Sequence, residues 1–333
     1  MAATEWNKPS LLETSGSYWK TCTLHTGVKL DLFTIIGNTT LSAEEICEAV
    51  HGDTRGVATL LDALAAMDLL VKEKGLYRNT AFSLKFLVSS SPDYTGFIIM
   101  HHHHLMDSWN RMSESVLSGK PCRQRVSHGA AHERESFLMG MFNIAMGLAP
   151  SFAKEIDLSG KKRLLDLGGG PGTYAIHFSM NNPDLRSTIF DLPTTRAFAE
   201  KTIERFGMGE RVDFMDGSYL DEQTRIERVF DAAWLSHILH GEGPEDAEKI
   251  IGLAVSALKP GGSIYIHEFI LNDEKSAPLF PALFSINMLV GTDKGTAYSE
   301  RELKAMLQRH GVKEIHRIDP KAAVTSGIVC GKV

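Results

Sequence analysis

His240 lies in LSHILHGEGPED, residues 235–246, between an apolar run and a loop of glycine, proline and acids. An imidazole there can be a packing residue or a general base, because histidine alone titrates near neutral pH without help. A second stretch fit for chemistry is LLDLGGGPGTYAIHF, residues 164–178. An apolar strand runs into Gly168, Gly169, Gly170, Pro171 and Gly172 and then into a helical pattern, so backbone can approach a ligand closely at a strand's carboxyl end. That is the layout of a nucleoside-cofactor site. The dinucleotide fingerprint would need glycine at 173, where Thr173 stands, and Pro171 removes an N–H that a pyrophosphate would use. A nicotinamide cofactor is therefore the weaker reading. Asp191, in IFDLP, follows the glycines by roughly twenty positions, the spacing of an acid that accepts hydrogen bonds from ribose hydroxyls. The competing reading of this pair is a tight turn and a helix-capping aspartate.

One run invites a metal and is not assigned one. His101 to His104 precede Trp109 in a helical stretch, where His101 and His104 share a face. Adjacent helical positions point apart, and no cysteine or paired acid completes a ligand set, so the run is expected to be a solvated or pocket-rim face.

Composition narrows the classes. The 333 residues are 43% hydrophobic and 23% charged, enough for two medium domains. A net charge of −6 argues against nucleic acid, whose binding rests on clustered Lys and Arg. Cys22, Cys47, Cys122 and Cys330 form no CxxC pair, which fits a reducing cytoplasm. Neither MAATEWNKPSLLETSG nor the Asp-interrupted VATLLDALAAMDLLV reads as a signal or membrane span. A cytoplasmic chain with a small-molecule ligand is expected.

These residues need elements to hold them. Residues 10–120 carry helical periodicity, with a hairpin at LLVKEKGLYRNT. From about 160 the pattern changes to short strands, RLLDLG, STIFDL, RVDFMDG, VFDAAWLSH and SIYIHEFIL, alternating with helices. Such alternation implies a parallel sheet covered on both faces. VKEIHRID and AAVTSGIVCGKV are too close for a helix between them and should form an antiparallel hairpin at the sheet.

With these motifs in place, the chain resembles the S-adenosylmethionine-dependent small-molecule O-methyltransferases of the acetylserotonin and caffeate type, over nearly its whole length. DLGGGPG is similar to that family's cofactor loop, FDLP to its ribose-binding strand end, and SHILHGEGPEDAEKIIGLAVSALKPGG to its catalytic segment. HEFIL supplies the next strand and its acid. TGVKLDLFTII through LLDALAAMDLLV resembles the winged-helix-like dimerisation domain. The resemblance implies an α/β fold: a Rossmann-like domain with a seven-stranded, mostly parallel sheet, ending in an antiparallel hairpin. It further implies a helical dimerisation domain over 1–120, a helical connector to the acceptor pocket over 121–160, and the methyltransferase domain over 161–333. It implies S-adenosyl-L-methionine as cofactor, S-adenosyl-L-homocysteine as product, and a homodimer.

Carried over by residue, the resemblance makes His240 the base and Glu268 the acid that orients it. Asp166, Gly168, Gly170, Gly172, Asp191, Leu192, Gly217, Ser218, Tyr219 and Ser236 become cofactor-binding positions, and Phe142, Met146, Asn287 and Met288 line the acceptor pocket. This chain departs from the pattern in three places. His240 is followed by Gly241 and Glu242 rather than Asp-Trp; Gly217-Ser218 stands for Gly-Asp, with Asp216 one place earlier; and Ala297 occupies a further acid's position. The chemistry agrees with a base, since a phenol of pKa about 10 becomes a far better nucleophile as its proton is removed. Two other classes are weighed. A thiol acceptor, or a decarboxylase- or hydroxylase-like reaction, is compatible with the same fold. A DNA-binding regulator is opposed by DTRGVATLLDALAAMDLL, which holds one Arg and three Asp.

Overall fold

The computed structural model describes residues 6–125, 130–323 and 325–333. Two compact units, Met1–Leu105 and Met106–Val333, divide the chain. The first begins with helices Lys8–Gly16, Tyr18–Lys29 and Leu32–Ile36. Strand β1 (Leu41–Ser42) follows, then helices Ala43–Val50 and Thr54–Ala66, then β2 (Leu70–Glu73) and β3 (Leu76–Asn79). The expected hairpin is β2–β3, and β1, too short to be read from periodicity, pairs antiparallel with β3. Local signals set the helix starts: Ser42 and Glu45 form a reciprocal capping box, and Asp53 accepts from Gly56 N–H. The apolar stripes of these helices meet in a core of Leu32, Phe33, Ile36, Ile46, Leu61 and Leu64. Asp62, which interrupts that stripe in the sequence, accepts a 2.7 Å hydrogen bond from Tyr77 Oη.

The second unit is built on seven strands: β4 (Arg163–Leu167), β5 (Arg186–Asp191), β6 (Val212–Asp216), β7 (Phe230–Ser236), β8 (Leu258–Glu268), β9 (Lys313–Ile318) and β10 (Gly327–Lys332). Their order is β6-β5-β4-β7-β8-β10-β9. The strands from β6 to β8 pair in parallel, and β10 runs antiparallel between β8 and β9. Helices Thr173–Asn181, Arg196–Arg205 and Pro244–Ala257 make the crossovers. One boundary differs from expectation: β8 starts at Leu258 rather than at Ser263. The Pro260-Gly261-Gly262 turn stays within the strand, and the pairing with β7 slips register there. Because β5 and β7 leave β4 in opposite directions, the carboxyl ends of β4 and β7 flank a topological switch point, where open α/β sheets bind ligands.

Among the described residues no single helix is long and apolar enough to cross a membrane. The bent pair Ala131–Met146 and Ala149–Glu155 is jointly apolar, with Leu138, Phe142 and Phe152 buried in the core.

Candidate active site

The glycine loop leaves β4 with Gly168, Gly170 and Gly172 all at positive φ, conformations that side chains rarely adopt. A Cβ at Gly168 would stand 2.6 Å from Ile238 Cγ2, and one at Gly172 would stand 2.2 Å from Ile189 Cδ1, so packing beneath the loop also demands glycine. A Cβ at Gly170 would meet nothing within 4 Å. The loop is thus tight underneath and open at Gly170, which suits close approach by a ligand.

Asp191 closes the β5 end. Its Oδ2 accepts from Gly170 N–H at 2.8 Å, and its Oδ1 accepts from Leu192 N–H at 2.6 Å and Thr195 Oγ1 at 3.2 Å. Burial raises this carboxyl above its ordinary value against those donors. Asp166, buried on β4, is pushed up to about 7, by burial first and then by Asp191; it receives Ala175 N–H at 3.3 Å, and its Oδ1 has no partner. Gly217 donates to Asp191 O at 3.0 Å, and a Cβ there would stand 2.2 Å from Phe190 Cζ. Asp216 is held by Arg196 in a two-pronged ion pair at 2.8 and 3.1 Å, which leaves Ser218 and half-buried Tyr219 as the polar side chains at that rim. The Ser236 hydroxyl faces inward, 2.8 Å from His267 Nδ1, whose Nε2 meets Ser326 Oγ at 2.8 Å.

On the far side of the switch point, β7 leads to a single 3-10 turn, Leu239–Gly241, that carries His240. His240 Nδ1 lies 2.6 Å from Glu268 Oε2 at the end of β8, and Glu268 Oε1 accepts Leu239 N–H at 2.9 Å and His240 N–H at 3.3 Å. Burial by itself would raise the Glu268 carboxyl; the His240 and His237 rings more than offset it and hold the group well below the usual carboxylate range. Phe284 packs edge-on to the His240 ring at 4.6 Å, and Phe269 stacks at 6.0 Å. The dyad is therefore an ionised carboxylate beneath an imidazole, in an aromatic wall.

Three features of this site are not legible in the motifs. His237 adopts φ 56° and brings its Nδ1 to 3.5 Å from Glu268 Oε2, beside His267 and Phe269. Its position three residues before His240 in SHILH is the signal that could have found it. Glu242, buried, is forked by Arg125 at 2.6 and 2.8 Å, and Arg125 also donates to Gly241 O at 2.8 Å. Phe284 belongs to the helix Leu279–Gly291 that also carries Asn287 and buried Met288; Asn287 Oδ1 accepts from Trp109 Nε1 at 3.3 Å. Phe142 and Met146 have further contacts: the Phe142 ring packs on Phe206 and under Arg205, and Met146 Sδ lies 3.4 Å from His177 Nε2. Ala297 is buried, and Glu268 is the acid bonded to His240.

In the His101–His104 run, expected to be a solvated or pocket-rim face, His102 is exposed and His103 and His104 are half-buried, whereas His101 is not solvated. His101 is buried in line with Leu105 and Ser108, the inward stripe of helix Gly96–Asn110. Among the described residues the one group of three side chains able to hold a metal is His237, His240 and Glu268, with ligand atoms within 4.8 Å of one another.

Comparison with known proteins identifies the family. Residues 119–313 match the O-methyltransferase domain, more than half of the chain, and residues 12–89 match the O-methyltransferase dimerisation domain. The chain belongs to the O-methyltransferase family. It is similar to the 3-hydroxy-5-methyl-1-naphthoate 3-O-methyltransferase of Streptomyces sahachiroi, 32% identical over 97% of this chain and 95% of that protein. It is similar in structure to an O-methyltransferase family protein from Burkholderia thailandensis, with a TM-score of 0.87, 28% identity, and 99% and 98% of the two chains covered. PigF with SAH also superposes, with a TM-score of 0.87, 25% identity, and 98% and 100% covered; a PigF sequence from Serratia is 27% identical over 91% of this chain and 90% of that protein. The enzyme is an S-adenosylmethionine-dependent O-methyltransferase acting on a small molecule, and it carries a dimerisation domain.

Proposed function

We propose that His240 is the general base of methyl transfer to a phenolic oxygen and that Glu268 fixes and charges it. The observation that carries this reading is the 2.6 Å contact between His240 Nδ1 and a buried, ionised Glu268 oxygen. With Nδ1 turned to the carboxylate, Nε2 is the ring atom left to take the acceptor's proton, and Glu268 stabilises the imidazolium that forms. When bound, S-adenosylmethionine supplies a methyl group made electrophilic by its positive sulfur. Asp166, Gly168, Gly170, Gly172, Asp191, Leu192, Gly217, Ser218, Tyr219 and Ser236 hold that cofactor, Ser236 through its backbone because its hydroxyl is engaged by His267. Phe284, Asn287 and Met288 shape the acceptor pocket together with Phe142 and Met146. Fixing acceptor and donor about 3 Å apart contributes roughly 7–11 kcal/mol by alignment.

A proton is favoured over a metal ion between these groups. Two ligands of a tetrahedral zinc, each about 2.1 Å from it, stand more than about 3 Å apart, whereas Nδ1 and Oε2 are at hydrogen-bonding distance.

We read 1–120 as the dimerisation part, 121–160 as the connector and 161–333 as the catalytic part, with a second copy of the chain as partner. Helix Lys8–Gly16 buries none of its residues, and Leu11, Leu12, Tyr18 and Trp19 are exposed, an apolar surface that a second copy would cover. Light scattering should give a dimer at micromolar concentration. The cofactor assignment is tested by Asp191→Ala, expected to weaken S-adenosylhomocysteine binding by on the order of 1–3 kcal/mol in calorimetry; unchanged binding would remove Asp191 from the site.

A further inference from the structure

Arg123 and Arg125 stand two residues apart and meet opposite fates. Their segment is tied down at both ends. Cys122 and Arg123 N–H groups donate to Val290 O at 3.1 and 3.3 Å, at the end of helix Leu279–Gly291, while Arg125 forks Glu242 beside the His240 turn. Arg125 is thereby neutralised. Half-buried Arg123 has no carboxylate within ion-pairing distance among the described residues, and its Nε is sealed from solvent with no acceptor. Burial pulls its guanidinium below the ordinary value, against the smaller opposing influence of Cys122 and then of Glu133.

The guanidinium lies over the bare backbone of Gly291, where a Cβ would stand 2.3 Å from Nη2 and 2.5 Å from Cζ. Any larger residue at 291 would displace it. Phe284, two turns earlier on that helix and about 10 Å along its axis, is the residue packed edge-on to the His240 ring. Gly295, four residues beyond Gly291, lies equally close under the His240 turn, where a Cβ would stand 2.6 Å from His240 O. Along this helix Gly291, under the cation, and Phe284, against the proposed base, are thus about 10 Å apart, roughly the length of a two-ring aromatic molecule.

From this geometry we infer that Arg123 receives an anionic group of the methyl acceptor, so that the preferred acceptor is a hydroxyaryl carboxylate with its acid distal to the hydroxyl that is methylated. A planar guanidinium with unused N–H groups matches a carboxylate's two oxygens, and partial burial strengthens that match while making the empty cation unfavourable. The inference rests on the reading of His240 as base, which fixes where the hydroxyl lies. The bland alternative is that Arg123 serves only the negative end of helix Leu279–Gly291.

The experiment measures binding rather than turnover. Calorimetry in the presence of S-adenosylhomocysteine compares a hydroxynaphthoate, with hydroxyl and carboxylate at opposite ends of the rings, with its carboxamide. The wild-type enzyme should bind the acid roughly ten- to a hundred-fold more tightly than the amide. In Arg123→Gln the ratio should fall to about one, and Arg123→Lys should restore part of it. Equal binding of acid and amide by the wild type, or no binding of the acid, overturns the proposal, as does an Arg123→Gln variant that keeps the preference. A melting point lowered in Arg123→Gln with the preference intact marks the helix-end role alone. Because the readout needs no methyl transfer, a failure of His240 as base would appear in turnover and leave this ratio untouched.

Discussion

His25 and His240 are both histidines packed against another histidine, and their surroundings make them different chemical objects. His25 is buried in the first unit with its ring edge-on to His103 at 5.6 Å, its Nδ1 has no partner, and Lys29 Nζ lies 3.3 Å from His103 Nε2. Burial first, then the neighbouring His103 and His102, lowers it to about 4. His240 has a histidine neighbour too, His237 at 5.7 Å, but beneath both lies Glu268. One buried carboxylate separates the two surroundings: His240 has an anion against its ring, and His25 has only other rings and a lysine nearby. A histidine cluster acquires acid–base chemistry from the anion beside it rather than from the number of rings.

The comparison breaks most visibly at His240. His240→Ala should lower kcat roughly 10²–10⁴-fold on a phenol whose pKa is well above about 8, with S-adenosylhomocysteine affinity nearly unchanged; wild-type turnover by the variant would return the histidine to the core. Removing the anion and keeping the ring is the sharper test. Glu268→Gln should cost less, on the order of 10–10²-fold in kcat, because the amide still accepts the Leu239 N–H and orients the imidazole but no longer balances its charge. A loss as large as that of His240→Ala would mean that charge, not orientation, dominates.

The first unit should lose stability in acid. His25 is lowered when folded, so between about pH 4 and the unfolded value near 6.5 the unfolded chain binds more protons. Its stability contribution is complete above that window and is lost as pH falls through it. His25→Phe should flatten this acid limb by on the order of 1–3 kcal/mol in denaturant titrations from pH 7 to about 4; an unchanged slope would show that His25 titrates normally. The smallest effect expected is none: a chelator should leave the wild-type rate unaltered, and a metal-dependent loss would reassign His237, His240 and Glu268 as ligands.

Much of the fold and half of the dyad's logic can be read locally. Strand-helix alternation after 160 marks the parallel sheet, the glycines mark the turn that needs positive φ, and the acid roughly twenty positions on marks the neighbouring strand end. The hairpin at LLVKEKGLYRNT is legible because a turn separates two apolar ends, whereas two-residue β1 carries no period. A Phe–Met pair at helical spacing, such as Phe142 and Met146, suits a pocket wall and a core stripe equally, and here it packs on Phe206, Arg205 and His177. His101 illustrates a related limit. A polar residue type says solvent, but the stripe of Leu105 and Ser108 carries it inward.

What the sequence determined by itself was the set of groups that local geometry requires: glycines where a Cβ would clash, capping residues at helix starts, and a histidine and a glutamate at the ends of successive strands. What only tertiary structure decided was which charges meet. Glu268 reaches His240 across 28 positions, and Glu242 takes Arg125 across 117 and leaves Arg123 without a carboxylate partner among the described residues. Pairings at that separation depend on strand order and on the packing of one helix end. Arg123 and Arg125 read alike in the sequence because no periodicity or spacing records which of them has a carboxylate beside it.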